Sequence, residues 1–507
     1  MKHRRILSGL AALMLAASLP MSALAREWDI ADGDITIVAD NDGQKVSQGT
    51  ENDISDDNPI IIGNSATNTV SIVAEKDQTA NVTLSGANID GSTKGNAAVS
   101  TTGEGNVSIE LDGDSTLKSG FCHAGLEKNN GGSLTIADED KNGKLTAEGG
   151  GYGAGIGGGY NGTGSDITIS GGEVNATGGA YGAGIGGGWG GSGSDITISG
   201  GEVKATGGAF GAGIGGGQGG SDIAISGGEV NATGGAYGAG IGGGWGGSGS
   251  DITISGGEVK ATGGSYGAGI GGGYSGDGSD ITVSGGEVKA TGGVNGAGIG
   301  GGLQGKGKDI TVSGDAKLKV QGGVESWTGG AGAGIGNGGS KADGNQIPGA
   351  EVEPDTSGLT TGRIEYYAPG ADMDKDAPSQ TIVGTYIPPQ PAREAAAPAQ
   401  PAAPLYRVTD GDGKDVSYET TWRDGVLTVT VEADRAVLTG RLSGIASLQA
   451  QGIERIVFIT KGATSEFLTA DLLASAPATE HYALTHDGET VTFTAGEADV
   501  SGILVKA

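Results

Sequence analysis

Two sets of carboxylates recur at regular intervals through the middle of the 507-residue sequence. One is an aspartate that precedes an isoleucine in each copy of a repeated segment, and the other is the glutamate of a Gly-Glu-Val motif that follows it. Carboxylate oxygens are ligands that Ca²⁺ prefers in proteins. Calcium is therefore the candidate cofactor, and the candidate metal ligands are Asp166, Asp195, Asp222, Asp251, Asp280, Glu173, Glu202, Glu229, Glu258 and Glu287. The alternative is a solvated acidic face that water and neighbouring lysines neutralise.

Aromatic residues recur at two positions of the same repeated segment. The first aromatic position directly precedes a Gly-Ala-Gly-Ile-Gly motif, and the second directly follows the glycine triplet that ends it. We therefore expect two rows of rings beside a strand whose outer face is bare glycine. Because aromatic rings pack well on apolar C–H surfaces, including those of sugars, such rows could bind a carbohydrate. The predicted carbohydrate-binding residues are Tyr152, Tyr160, Tyr181, Trp189, Phe210, Tyr237, Trp245, Tyr266 and Tyr274. The alternative is that the rings stack only on one another and seal the turns.

Two other motifs in the repeat resemble cofactor-binding motifs but lack the neighbouring sequence that such sites need. The G-x-G-x-x-G string at Gly182, Gly184 and Gly187 is followed by more glycine, and not by the helix that a dinucleotide site needs. The neighbouring G-G-x-G-x-D string occurs once per repeat, whereas calcium-binding rolls repeat it with a nonapeptide period. Neither motif therefore predicts a cofactor site.

Catalysis is also disfavoured by the residues available. Polysaccharide lyases of this kind use an Arg or Lys base, but no arginine occurs between residues 27 and 362, and the lysines of the repeats are scattered along a ladder and are not gathered with acids in one site. Paired carboxylates remain the one means by which a glycosidase could act, but the acids are spread along ladders and are not gathered in one site. Cys122 and His123 are expected to occupy ordinary positions of the repeat.

The repeat predicts the elements that position these residues. Its Gly-Ala-Gly-Ile-Gly motif begins at Gly153, Gly182, Gly211, Gly238, Gly267, Gly296 and Gly332, so that most copies are 29 residues long. Each copy holds three short segments in which small apolar residues alternate with polar residues or glycine, and repeats of this length are typical of solenoids. In the first copy the inward residues should be Ala154, Ile156, Ile167, Ile169, Val174 and Ala176. We predict a mainly β fold, a right-handed parallel β-helix with one coil per repeat.

The amino-acid composition argues against some classes of partner and fold. The formal net charge is −30, with 60 acidic and 30 basic residues, which argues against nucleic acid because its binding depends on Lys and Arg at phosphates. Glycine makes up 109 residues without the every-third-residue period of collagen. A single cysteine, Cys122, permits no intrachain disulfide.

The remaining segments predict the domain organisation. Residues 1–25 have the pattern of a secretory signal peptide, so a secreted or cell-surface protein without a transmembrane segment after cleavage is expected. The β-helix is predicted over residues 26–347, with regular coils at about 150–340. A cap, including a strand near residues 363–367, and a Pro/Ala-rich linker should follow over 348–404. Residues 405–507 predict a small α+β domain, with a helix from Ser465 and with His481, His486 and Asp487 on its surface.

The repeat "GAGIGGGWGGSGSDITISGGEVKATGG", residues 182–208, resembles those of bacterial secreted β-helix proteins of the carbohydrate-binding-domain type, which are similar in architecture to pectate-lyase-like solenoids. The likeness covers about residues 70–339. It implies binding of a polysaccharide or cell-surface glycan without catalysis. We therefore expect a non-catalytic polysaccharide-binding protein. A structural or adhesive stalk that presents the C-terminal domain is the alternative, and a polysaccharide lyase or hydrolase is the least favoured.

Overall fold

A computed structural model describes residues 25–384, 406–411, 413–414, 416–423, 425–450, 453–475, 481–488, 490–496 and 498–505. The chain divides into two compact units, Met1–Pro388 and Pro389–Ala507. The predicted signal peptide, apart from Ala25, and the Pro/Ala-rich linker lie outside the described residues.

The first unit is a β-helix built from three sheets in which successive coils pair in parallel and in register. The first sheet comprises Glu27–Asp29, Ile60–Ile62, Thr79–Ser85, Asn106–Asp112, Leu134–Ala137, Gly164–Ile169, Gly193–Ile198, Gly220–Ile225, Gly249–Ile254, Gly278–Val283 and Gly307–Val312. The second comprises Ile35–Asp40, Val70–Ala74, Val99–Gly103, Leu126–Lys128, Ile156–Gly157, Ile185–Gly186, Ile214–Gly215, Ile241–Gly242, Ile270–Gly271, Ile299–Gly300 and Ile335–Gly336, with Gly43–Gln48 and Glu51–Ser55 antiparallel at its start. The third comprises Asn64–Ser65, Asn88–Asp90, Asp114–Lys118, Lys144–Glu148, Glu173–Thr177, Glu202–Thr206, Glu229–Thr233, Glu258–Thr262, Glu287–Thr291, Lys317–Gln321, Arg363–Tyr367 and Gln380–Val383.

The predicted parallel β-helix and its inward residues are confirmed. Ile156, Ile167, Ile169 and Val174 are fully buried, and the equivalent residues of later coils continue the same core. Parallel pairing stacks each of these side chains on its counterpart in the next coil, so coils too small to have a core of their own share a continuous one.

The glycine-rich strand differs from the prediction. In each regular coil it is only two residues long, and the Ala154 N–H donates to the Gly158 carbonyl oxygen at 2.9 Å, an arrangement that the next coils repeat. The chain therefore dips inward at Ile156 and returns at once. Residues 153–159 are all buried, so the expected outer face of bare glycine is wrong. Glycine occurs here because neighbouring backbones leave no space for a Cβ; one added at Gly155 would lie 2.7 Å from the Gly184 oxygen.

The C-terminal end of the β-helix is closed by groups that form hydrogen bonds with the backbone of its last coil. At the C-terminal end, the Glu351 carboxylate accepts hydrogen bonds from the N–H groups of Gly334 and Ile335, at 2.7 and 3.0 Å, where another coil would have offered carbonyls. The predicted capping strand is present as Arg363–Tyr367, which pairs in parallel with Lys317–Gln321. Gln380–Val383 then pairs antiparallel and covers its edge. Ser340–Ala342 and Asn345–Ile347 form a separate hairpin.

The second unit is an α+β domain, as predicted. One antiparallel sheet contains Arg407–Thr409, Arg435–Arg441, His481–Asp487, Thr490–Ala495 and Ala498–Asp499. A second, mixed sheet contains Glu419–Arg423, Val426–Thr430, Arg455–Ile459 and Thr464–Leu468. The described helices of this unit are Leu442–Ala450 and Thr469–Ser475, followed by a short 3₁₀ turn at Ser501–Ile503. Two further 3₁₀ turns, Ile30–Asp32 and Gly91–Thr93, belong to the first unit.

Two expectations for this unit are wrong. Ser465 lies in a strand and the helix begins at Thr469, because Phe467 belongs to the core and pairs opposite Ile456. His486 is fully buried, whereas His481 and Asp487 are exposed. The His486 ring bonds the hydroxyls of Thr460 and Ser465 at 3.0 and 2.8 Å, and burial lowers its pKa to about 4.

Candidate functional site

The inward dip of each coil brings its two aromatic positions together. The turn before the dip carries the first position and the turn after it carries the second, so both face outward at one corner of the β-helix. Backbone bonds lock the corner between coils: the Trp189 N–H donates to the Tyr152 carbonyl at 2.8 Å, and Trp245 and Phe210 form the same bond. The positions of the rings are therefore set by the backbone of two consecutive coils.

All nine predicted carbohydrate-binding residues lie in one continuous strip of ring contacts, here called the aromatic strip. Neighbouring ring centroids are separated by distances from 4.5 Å, between Phe121 and Tyr152, to 5.9 Å, between Tyr266 and Tyr274. The two rows contact each other directly, as Tyr152 and Tyr160 do at 5.5 Å. Phe121 is a tenth member that the sequence pattern missed, because it lies one residue before the first aromatic position of its irregular coil.

The rings of the strip differ in what they leave free. Phe210 stacks almost parallel on Tyr181 at 4.7 Å and on Tyr237 at 5.0 Å, so both of its faces are covered. Tyr160 and Trp245, both in the second aromatic position, are 47% and 49% exposed, and Phe121 is 62% exposed. Phe210 therefore acts mainly as support within the strip, and the most exposed rings of the regular coils, Tyr160 and Trp245, both belong to the second position.

The corner that carries the strip has no charge over four coils. Residues 149–165, 178–194, 207–221 and 234–250 contain no Asp, Glu, Lys, Arg or His, although the chain as a whole carries a net charge of −30. The residues next to the rings are mostly glycine, alanine and serine, which are too short to cover them. The strip is therefore an accessible and neutral aromatic surface on an acidic protein.

The aspartate ladder occupies a bulge in the first sheet. Its six members, Asp166, Asp195, Asp222, Asp251, Asp280 and Asp309, all have φ between 52° and 55°. Asp and Asn adopt this left-handed conformation more readily than other side chains that carry a Cβ. The neighbouring residues pair in register while the aspartate does not, as at Ser165 and Ile167. The backbone thus gives a reason for aspartate at this position that is independent of metal binding.

The glutamate ladder lies on the outer face of the third sheet. Glu173, Glu202, Glu229, Glu258 and Glu287 are direct partners in successive coils. Cationic and amide groups relieve their repulsion: the Lys144 ammonium lies 2.7 Å from Glu173, and Asn175 donates to the same carboxylate at 2.9 Å. These two hydrogen bonds lower the pKa of Glu173. Metal binding by either ladder stays a prediction.

A separate group of carboxylates lies in the coil before the regular repeats. Among the residues that the structure describes, Glu110, Asp138 and Asp140 are the group of three whose oxygen atoms lie within 4.8 Å of one another. Burial raises the pKa of Glu110. The sequence signal is the D-x-D-x-N-G string of residues 138–143, which is typical of the start of a calcium loop, although no glutamate stands at its twelfth position. These residues could hold a divalent cation.

The irregular coil also contains a buried carboxylate beside His123. The Glu127 side chain accepts hydrogen bonds from the Ala124 N–H, His123 Nδ1 and Asn129 Nδ2, at 2.9, 2.8 and 2.7 Å. In regular coils the equivalent alanine N–H donates to a glycine carbonyl. Glu127 therefore replaces that carbonyl, and His123 is one of its hydrogen-bond partners. That His123 occupies an ordinary position of the coil stays a prediction. Cys122 is exposed.

Comparison with known proteins agrees with this architecture. Six segments match the family model of the beta helix repeat, at residues 141–160, 167–189, 196–218, 223–245, 252–274 and 281–303. With the three parallel sheets, these matches define a parallel β-helix protein, a fold that supports a surface or structural role. No curated protein and no solved structure is significantly similar to the chain.

None of the described helices combines the length and the apolar character that crossing a bilayer requires.

Proposed function

We propose that this protein is a secreted or cell-surface, non-catalytic polysaccharide-binding protein that holds neutral glycan chains along the aromatic strip. The single observation that carries the proposal is the run of ring contacts from Phe121 to Tyr274, in which Tyr160 and Trp245 keep about half of their surface exposed. Protruding rings in a row offer repeated stacking contacts to a ligand that is itself a repeat.

Charge supports a neutral ligand. A polyanion would be repelled by the net charge of −30. A cationic polymer would find its counter-charges on the acidic ladders, away from the aromatic rings. The charge-free corner combines exposed rings with a neutral environment, and neutral sugar chains match that chemistry.

The geometry along the axis supports an extended chain. Successive coils of a β-helix are separated by about 4.8 Å, so the rings of the first aromatic position, from Tyr152 to Tyr266, recur at that spacing, whereas Gln218 interrupts the second position between Trp189 and Trp245. Each stacking contact contributes about 1 kcal/mol, which makes one contact weak and several contacts acting together effective. Affinity should therefore rise with the length of the glycan.

A structural or adhesive stalk is the second candidate, and the stacking of Phe210 between Tyr181 and Tyr237 favours it. Rings whose faces are used by other rings stabilise the corner of the β-helix whether or not a ligand binds. The two candidates differ in whether the exposed rings of the second aromatic position have a partner.

Affinity electrophoresis of the full chain tests the proposal. The gels would contain hydroxyethylcellulose, xylan or mannan as neutral polymers and carboxymethylcellulose as the charged counterpart of the first. We expect retardation in at least one neutral gel and a weaker effect in carboxymethylcellulose than in hydroxyethylcellulose. Unretarded migration in every neutral gel would favour the stalk, and stronger retardation by the charged polymer would contradict a neutral ligand.

A further inference from the structure

The coil that follows the last aromatic one is longer than its neighbours. Its Gly-Ala-Gly-Ile-Gly motif begins at Gly296, and the next motif begins 36 residues later at Gly332, where 29 is usual. The additional residues form a turn that carries Trp327, and this side chain is 77% exposed. An indole held in water at a protein surface exposes a large apolar ring face on which a sugar ring could stack.

The turn is anchored to a residue of the strip's own pattern. Asn295 occupies the first aromatic position of its coil, is fully buried, and has a φ of 68°. Its Nδ2 donates to the Gly329 and Gly330 carbonyls at 2.7 and 2.8 Å. Its Oδ1 accepts from the hydroxyls of Ser326 and Thr328 at 2.7 and 2.8 Å. One amide side chain thus satisfies four groups on both sides of Trp327.

The same turn also covers the second aromatic position. That position holds Leu303, which is buried, and a Cβ added to Gly329 would lie 2.8 Å from its Cδ1. The turn is closed by backbone hydrogen bonds in both directions between Ser326 and Gly329, at 2.9 and 3.1 Å. Lys341 Nζ donates to the Trp327 carbonyl at 2.9 Å. The strip therefore ends in a braced turn with Trp327 at its tip.

We propose that Trp327 is the terminal stacking site of the aromatic strip, contacting a neutral polysaccharide chain that runs along the strip and past its last ring. This inference rests on the proposed function. Asn295 is the positioning residue, because it fixes the turn before any ligand arrives and so reduces the entropy lost on binding. From Phe121 to Asn295 the strip covers six coil steps, roughly 29 Å at the usual spacing of strands.

The test compares single variants of the full chain on cello-oligosaccharides of increasing length, with hydroxyethylcellulose as the long-chain probe. Trp327→Ala should weaken binding of the longest chains about fivefold, which is one aromatic contact, and leave binding of the shortest chains nearly unchanged. Trp327→Phe should restore most of the loss. Trp422→Ala, which removes a 56% exposed tryptophan of the other unit, is the matched control and should have no effect.

A second variant tests the role of the anchor. Asn295→Asp keeps the shape and the left-handed backbone but removes the two amide donors, so it should reproduce the long-chain loss while Trp327 is still present. Equal affinities of native protein and Trp327→Ala at every length would overturn the inference and leave the proposed function standing. If native protein binds none of these probes but retains another neutral polysaccharide, the comparison is made on that polymer. Failure of native protein on all of them would overturn both.

Discussion

The coils before and after about residue 150 differ most clearly in the second sheet. In the early coils the second sheet has five-residue strands, Val70–Ala74 and Val99–Gly103, whereas in the regular coils it has two-residue strands such as Ile156–Gly157. The aromatic strip lies almost entirely where the strand is short. A long strand keeps the two flanking turns apart, and the inward dip of the glycine-rich segment brings them together. The buried glycines are thus needed to place the aromatic residues side by side.

The coil between these two regions shows what the dip requires. There Leu126–Lys128 takes the place of the glycine-rich strand, and the Glu127 carboxylate accepts the alanine N–H that a glycine carbonyl accepts in later coils. The same backbone donor must be satisfied in both regions. The early coil satisfies it with a buried side chain, and the regular coils satisfy it with the backbone alone.

The largest effect that tests this comparison is expected from a buried glycine of a regular coil. Gly186 has a φ of 123°, and a Cβ there would lie 1.9 Å from the Gly215 carbonyl oxygen. Gly186→Ala should therefore lower the free energy of unfolding of the β-helix by about 3 kcal/mol or more. Gly246→Ala is the control, since it has a φ of 71° but open space around the Cβ, and should cost about 1–2 kcal/mol. Urea unfolding followed by circular dichroism measures both; equal costs would show that conformation, and not the close approach of coils, selects these glycines.

We expect added calcium to distinguish the carboxylates of the early coil from those of the regular ladders. Added Ca²⁺ should raise the thermal midpoint, with a stabilisation of about 2.7 kcal/mol at a hundredfold excess over Kd. Asp138→Asn with Asp140→Asn should abolish the rise, because these carboxylates converge with Glu110. Asp195→Asn with Asp251→Asn should leave it unchanged, because asparagine keeps the left-handed backbone of the ladder. The reverse pattern would assign the cation to the ladder, and a midpoint indifferent to calcium would make both acidic sets solvated surface.

Glu127 provides a smaller test of the comparison. Glu127→Gln keeps the shape but replaces one acceptor oxygen with an amide NH2 group that faces hydrogen-bond donors, so we expect a loss of about 2 kcal/mol in the free energy of unfolding. Glu148→Gln is the control in the same coil, since its exposed pair with Lys118 at 3.5 Å should contribute less than about 0.5 kcal/mol. If the two variants are equally stable in urea unfolding, the carboxylate does not replace the glycine carbonyl as described.

The alternation of apolar and polar side chains was enough to predict which residues form the core. Ile167 and Ile169 lie on the same face because one polar residue, Thr168, separates them, and near-identical copies were expected to stack in register. The glycine-rich segment carried no such record, since without side chains its exposed and buried faces look alike, and its inward dip appeared only in the structure. The bulge at Asp166 was hidden for a related reason, because an aspartate pointing outward fits the alternation whatever its φ.

Residues that break the repeat were the hardest to predict. In the sequence, Asn295 only marks a copy that lacks an aromatic residue at the first aromatic position. Its role depends on an insertion about 30 residues later. Phe121 lies one residue before the first aromatic position in a degenerate copy of the repeat, so the motif did not identify it. His486 in the C-terminal unit occurs once, and its burial depends on hydroxyls from another hairpin that no local pattern connects to it.

The measurement that tests the central claim most directly is retention of the full chain on insoluble cellulose, chitin, mannan and xylan. Trp189→Ala with Trp245→Ala should weaken retention about 30-fold on the polymer that holds the native protein, since two contacts of about 1 kcal/mol each are lost. Glu229→Gln with Glu258→Gln, on the outer face of the third sheet, is the matched control and should be retained like the native chain. Native protein that none of the four polymers retains, or a tryptophan variant retained as well as native, would contradict the account and leave the strip a structural seam of the β-helix.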